Sequence, residues 1–403
     1  MKVSRAHKIR LDPNNAQADY FAQACGCARV AFNWGLAEWK RQYAAGEKPS
    51  AFGLKHRFNA LKREQFPYML DVTKCAPERA FVNLGKAFNG FFRNIKAGRK
   101  PGYPRFKRRG LRDSFYVAND QFTLNGKRIR IPKLGWVRMR ERFRFNGDKI
   151  MSATISRTAG HWSVSIQVER DLGDVPQATG LALGIDVGIK NIAVTSDGRV
   201  FANRRSTRRF AGRLRLAQKR VSRRQKGSKN RRKAVAKLAT VHERIANVRR
   251  DTLHKSSTDA ITKAGLISMI VLEDLNVAGM LKNHRIAKAL SDASVSELHR
   301  QIVYKAAQRG IRVLRADRFF PSSKMCSDCG ALKAELGLGE RDYVCQGCGL
   351  SIDRDLNAAI NLRNLAGGFP VSACRLGGAG PDSSGTKPPI GQELFVAPTP
   401  CWI

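Results

Sequence analysis

The sequence predicts a multidomain α+β protein. Short antiparallel strands build a small β-barrel around a helical insertion, and an RNase H-like α/β domain with an inserted four-cysteine module follows. Three observations predict this. Apolar residues recur at helical spacing from about residue 16 to 95, and alternate from 115 to 170. Two Cys-x-x-Cys pairs then interrupt a second series of strands and helices. At ~100–200 residues per domain, 403 residues suggest two to four domains.

Residues 3–11 alternate as a strand that Pro13 ends. From about Ala16 to Ala45, Phe21, Cys25, Ala28, Phe32 and Trp39 keep helical spacing. A second helix is expected over Phe52–Lys62. A third begins near Pro77, a favoured first-turn residue, and carries Phe81, Leu84, Phe88, Phe91/Phe92 and Ile95 on one face. Residues 98–109 read GRKPGYPRFKRR. Here Arg99, Lys100, Arg105, Lys107, Arg108 and Arg109 interleave with Tyr103 and Phe106, a pattern suited to phosphate contact with ring stacking. It also fits a plain basic linker. The alternating run 115–170 then completes the barrel.

Leu181–Val187 is an apolar strand, and Asn191–Thr195 pairs with Arg199–Asn203 across Ser196-Asp197-Gly198. Two basic helices are expected at about 206–226 and 230–255, packed along Val235, Leu238, Val241, Ile245 and Val248. Ile267–Leu272 is a strand, Ser294–Arg309 a helix and Ile311–Arg315 a strand. The cysteine module occupies 321–350, and a last helix about 353–365. Strand, hairpin, helix, strand, helix, strand, helix is the RNase H-like order. The stretch 367–403 holds 7 Gly and 6 Pro and is expected to be disordered.

Charge narrows the function. Lys and Arg number 74 against 32 Asp and Glu, a formal net charge of +42. Such an excess repels itself unless a polyanion neutralises it, which points to nucleic acid. Residues 203–255 concentrate it, with 20 Lys/Arg and only Glu243 and Asp251 as acids. Arg231, Arg232 and Lys233 lie at the centre of that segment. A solvated helix face would include more Glu for i,i+4 pairing. No apolar run approaches the ~18 residues of a membrane span, and no apolar segment follows the basic start as in a secretory signal. Neither a membrane partner nor a small-molecule substrate is expected.

Three acids stand where strands or helices begin or end. Asp186 follows the strand in GIDVG, Glu273 ends the strand in VLEDLN, and Asp355 heads the last helix in DRDLN. Taken alone, these fit a turn residue, a surface acid and an N-cap. Together, on neighbouring elements of one sheet, they can converge on two divalent cations. Two ions ~3.5–4 Å apart serve phosphodiester hydrolysis, and carboxylate oxygens select Mg²⁺ or Mn²⁺. Asp274 is expected on the opposite strand face from Glu273, and Asp353 suits the helix start.

Cys326-Ser-Asp-Cys329, fifteen residues, and Cys345-Gln-Gly-Cys348 have zinc-ribbon spacing. A closed set of four thiolates leaves no position for a substrate water, so one structural Zn²⁺ is expected. Gly330 and Gly349 permit the turn after each pair. The scattered Cys25, Cys27, Cys75, Cys374 and Cys401 suggest a reducing compartment rather than a disulfide framework.

With these residues in hand, the chain resembles the TnpB family, the transposon-associated RNA-guided DNA endonucleases related to type V CRISPR effectors. The resemblance covers residues 1 to about 366. It rests on HKIRLDP at 7–13, GCARVAFNWGL at 26–36, GYPRFKRR at 102–109, GIDVGIKN at 184–191, and QKGSKNRRKA at 225–234. Further segments are DTLHKSST at 251–258, VLEDLN at 271–276, SSKMCSDCG at 322–330 and DRDLNAAINL at 353–362. It implies a guide RNA made from the transposon end, a short motif read beside the target, and cleavage of double-stranded DNA. Asp186, Glu273 and Asp355 become a RuvC-like catalytic triad. The resemblance divides the chain into a wedge barrel at 1–13 and 98–178 and a recognition domain at 14–97. The RuvC-like nuclease takes 179–320 and 351–366, the zinc-ribbon target-binding module 321–350, and the tail 367–403. A prokaryotic, nucleoid-associated location follows.

Some family members have lost catalytic acids and act as guided repressors. The three acids present here favour a nuclease. The alternative is a guided regulator of transposition with little cleavage; a third reading, strand transfer by a transposase, uses the same fold.

Overall fold

The computed structural model describes residues 1–262, 267–337 and 339–367. Most of the Gly/Pro-rich segment expected to be disordered lies outside them, as do Cys374 and Cys401. The chain divides into two compact units. One holds residues 1–172 and 226–240, and the other 173–225 and the described residues from 241 on.

The first unit opens with strand β1 (Lys2–Asp12), followed by helices α1 (Asn15–Ala44), α2 (Ala51–Gln65) and α3 (Cys75–Lys96). Asn14 caps α1: its side chain accepts from the Gln17 N–H while Gln17 reaches back to the Asn14 N–H. The strands β2 (Ser114–Ala118), β3 (Thr123–Asn125), β4 (Arg128–Ile131), β5 (Gly135–Met139), β6 (Lys149–Thr158) and β7 (His161–Asp171) follow. With β1 they form a seven-stranded sheet ordered β2-β6-β7-β1-β5-β4-β3. β1 pairs with β7 through Arg10 and with β5 from Leu11, so the first strand joins the later ones across the helical insertion. The predicted stripes are largely core, though Phe92 and Ile95 at the end of α3 are exposed. Phe21, Phe32, Phe58, Phe81, Leu84 and Phe88 are buried in one cluster with Ile129, Ile155 and Ile166 of the sheet.

The second unit contains β8 (Leu181–Asp186), β9 (Asn191–Thr195) and β10 (Val200–Ala202), then α4 (Ser206–Arg209) and α5 (Ala211–Ser222). Helix α6 (Lys229–Thr262) begins in the residues grouped with the first unit. Then come β11 (Ile267–Glu273), α7 (Val277–Met280), α8 (His284–Ala293), α9 (Val295–Ala307), β12 (Arg312–Ala316), β13 (Asp342–Val344), β14 (Ser351–Asp353) and α10 (Arg354–Ala366). The main sheet runs β10-β9-β8-β11-β12, with β8, β11 and β12 parallel and β9 antiparallel to β8. This is the expected α/β order.

The basic segment differs from expectation. Its first helix breaks at Phe210 into α4 and α5, and its second runs on to Thr262. Of the proposed apolar seam only Ile245 is buried, and Val235 is exposed. Residues 226–240 group with the first unit rather than with the α/β domain where the sequence reading put them. A basic helix carries too few apolar residues to announce its neighbours. The buried carboxylate of Asp292 anchors the segment's start. It accepts from the Ser206 hydroxyl, the Thr207 N–H and hydroxyl, and the Arg249 guanidinium, all within 3.1 Å. These hydrogen bonds hold its pKa below the usual carboxylate range although burial opposes them.

Candidate active site and metal centre

Residues Leu183–Ile185 of β8 and Ile270–Leu272 of β11 are buried. In their parallel register Leu272 faces Ile185, so Asp186 and Glu273 leave adjacent strands side by side at the carboxyl edge of the sheet. Open α/β sheets bind ligands at this edge. The third acid comes from α10, which packs on β8. Gly184 allows that approach: a Cβ there would collide with the Ala359 carbonyl oxygen and sit 2.5 Å from the Arg363 nitrogen. Asp353 caps α10 by accepting from the Asp355 and Leu356 N–H groups, which leaves Asp355 in the first turn. The three acids are half-buried.

Burial raises the Asp186 pKa well above the usual carboxylate range, and the neighbouring Glu273 and Asp355 charges raise it further. Arg354 opposes them. Burial also raises Glu273, against a hydrogen bond from the Ser322 hydroxyl to its Oε1. Asp186, whose ionisation is opposed by burial and by two neighbouring carboxylates, belongs to a donor set that fits divalent cations with hard-oxygen preference. Among the described residues the three acids do not form a cluster with all donor atoms within 4.8 Å; the four cysteines do. Asp274 pairs instead with Arg318 at 2.8 Å and Arg315 at 3.9 Å.

Cys326, Cys329, Cys345 and Cys348 come together with Sγ–Sγ distances of 3.6 Å (326 to 348) and 3.5 Å (329 to 345). Zn–S bonds of ~2.3 Å give a tetrahedral edge of ~3.8 Å, so the quartet fits a zinc ion. Backbone N–H groups of Cys348 and Gly347 lower the Cys345 pKa to about 6, against desolvation, which favours the thiolate a metal needs. The Cys348 thiol is pushed up to about 12: the Leu350 N–H lowers it, but burial and the other three sulfurs prevail. Four thiolates at this spacing need a cation. Buried Tyr343 fills the module, and β13 pairs with β14.

The basic candidates are placed separately. Arg99, Lys100, Arg105, Lys107, Arg108 and Arg109 are exposed in the loop after α3. Lys107 is an anchor: its backbone exchanges two hydrogen bonds with Asn33, and its ammonium lies 4.2 Å from the Phe32 ring centre. Desolvation lowers its pKa. Lys40, which no motif marked, stands over the Tyr103 and Phe106 rings at 5.5 and 5.1 Å. Arg232 and Lys233 are exposed on the first turns of α6, where the Arg231 N–H donates to Ser228 Oγ.

Comparison with known proteins now bears on these sites. A protein of Streptomyces pristinaespiralis, provisionally named an RNA-guided DNA endonuclease, is 36% identical over 386 residues, covering 93% of this chain and 91% of its own. A second, of Escherichia coli strain K12 and named in the same way, is 31% identical over 395 residues, covering 93% and 94%. The chain belongs to the TnpB family. Family profiles agree: one described as "Probable transposase" matches residues 163–284, and a Cas12f1-like TNB domain matches 296–362. A profile described as a helix-turn-helix domain matches 1–48. In this TnpB-family chain that segment is a strand followed by one unbroken helix. In fold, the chain is similar to a cryo-EM structure of a Cas12f1–sgRNA–target DNA complex, with a TM-score of 0.54 at 12% identity over 90% of this chain and 99% of that one. No described helix is long and apolar enough to cross a membrane.

Proposed function

We propose that this chain is an RNA-guided DNA endonuclease of an insertion-sequence element, with Asp186, Glu273 and Asp355 as its catalytic acids. The observation that carries the reading is that β8, β11 and α10 bring Glu273 and Asp355 near enough to Asp186 for their charges to raise its pKa. The relatives' names support the activity, and the net charge of +42 suits both RNA and DNA as partners. The guide derives from the transposon end, and base pairing rather than protein contact selects the target.

The three acids would hold two Mg²⁺ or Mn²⁺ ions, which supply activation of the attacking water and charge relief on the leaving oxygen in phosphodiester hydrolysis. The protein's part is orientation. The parallel register presents Asp186 and Glu273 together, the Asp353 cap fixes the first turn beside Asp355, and the Ser322 hydroxyl holds one Glu273 oxygen. The cysteine quartet takes a structural zinc. The roles expected of the wedge (1–13 and 98–178), recognition (14–97), nuclease (179–320 and 351–366) and zinc-ribbon (321–350) segments belong to the same reading. Nucleic-acid contacts are assigned to the exposed Arg99, Lys100, Arg105, Lys107, Arg108, Arg109, Arg232 and Lys233, with Arg231 beside them.

The test is Asp186→Ala, expressed from the native flanking locus. It should co-purify with one dominant RNA that extends past the element and should bind matched DNA without cutting it. Wild-type cutting by this variant would refute the site. A heterogeneous RNA pool would refute guidance and favour strand transfer or nonspecific binding.

A further inference from the structure

A row of buried amides joins the cysteine module to the helix that carries Asp355. Asn357 and Asn361 lie one turn apart on α10 and are 0% and 1% exposed. Asn357 Nδ2 donates to the Met325 carbonyl at 2.7 Å, and its Oδ1 accepts from the Ser327 N–H at 2.9 Å. Asn361 Nδ2 donates to the carbonyls of Ser322 at 2.8 Å and Met325 at 2.7 Å. Met325 and Ser327 flank Cys326, so these bonds grip the backbone on both sides of a candidate zinc ligand. Ser322, 3% exposed, turns the other way and donates its hydroxyl to Glu273.

Packing alone would be met by leucine at these positions. A buried amide is costly unless its groups are partnered, and a fully partnered polar network fixes one geometry. This network has one end on the cysteine module and the other on two of the three acids' elements.

We propose that Ser322, Asn357 and Asn361 are positioning residues through which the cysteine module sets Glu273 and Asp355 against Asp186. The inference rests on the reading of those acids as the nuclease site. Ser322 selects the Glu273 rotamer by holding its Oε1. The asparagines fix the height of α10 relative to the module, and with it the first turn that bears Asp355. Loss of the module therefore disorders the acids even though no cysteine touches them.

The test uses the full chain with its co-purified RNA. Zinc is counted by elemental analysis, and Mn²⁺ binding is followed by electron paramagnetic resonance without DNA. Ser322→Ala and Asn361→Leu should each keep one zinc per chain and bind Mn²⁺ about tenfold more weakly, in the range for groups that orient metal ligands. Ser322→Thr, which keeps the hydroxyl, should restore wild-type binding. Wild-type Mn²⁺ affinity in both Ser322→Ala and Asn361→Leu overturns the coupling. Equal Mn²⁺ binding by wild type and Asp186→Ala overturns the underlying site instead, so the two failures are distinguishable.

Discussion

At the residue scale, Asp186 carries the clearest energetic signature. Its folded pKa lies above its unfolded value because of burial and the Glu273 and Asp355 charges. Between those two values the folded state binds more protons than the unfolded one. Stability of the metal-free protein therefore falls as pH rises through that window, and stays lower above it. Removing the charge should reverse the loss. Asp186→Asn is expected to melt a few degrees higher than wild type at pH 7 in a chelating buffer, since ~1 kcal/mol moves a domain of this size by about 2–4 °C. It should abolish cutting at the same time. A lower melting temperature, read by calorimetry, would show that the acids do not strain one another. Cys345 gives the opposite case: its favoured thiolate is useful only with a cation nearby. Cys345→Ser should lose one zinc per chain and unfold the module, visible by elemental analysis and as accelerated proteolysis between residues 321 and 350.

At the element scale, the contact of β8 with α10 decides the geometry of the acids. Gly184→Ala places a methyl group against the Ala359 carbonyl. It should cost about 1–3 kcal/mol in urea unfolding, as overpacking does, and should lower cutting more than RNA binding. Equal losses in both would mean general unfolding rather than a shift of α10. The same contact shows what a single sequence conveys. The acids, the cysteine spacing and the strand order were legible, because each leaves a local mark: an acid at a strand end, a paired Cys-x-x-Cys, an alternation. Ser322, Asn357 and Asn361 carry no such mark. Serine before a turn and asparagine in a helix have many ordinary uses, and only the partner across the fold distinguishes this one. Asp292 escaped notice for the same reason, since its four donors come from residues 206, 207 and 249. The path of the basic helices was also illegible. Charge says what a surface meets but not where its backbone turns, so the break at Phe210 and the extension to Thr262 had no signal.

At the scale of the whole molecule, a net charge of +42 makes binding a matter of ion release. RNA affinity should fall linearly on a log–log plot against salt. Replacing both exposed Arg232 and Lys233 with Ala should shallow the slope by about one unit per residue if each meets a phosphate. An unchanged slope would move the phosphate contact elsewhere. The order of the acids along the chain has a further consequence. Asp186, Glu273 and Asp355 come from β8, β11 and the last described helix, whereas the first unit's sheet is complete by residue 171. On the ribosome, most of the sheet-and-helix half emerges long before the third acid does. A nascent chain can thus expose basic surface before the third acid of the proposed site has been made.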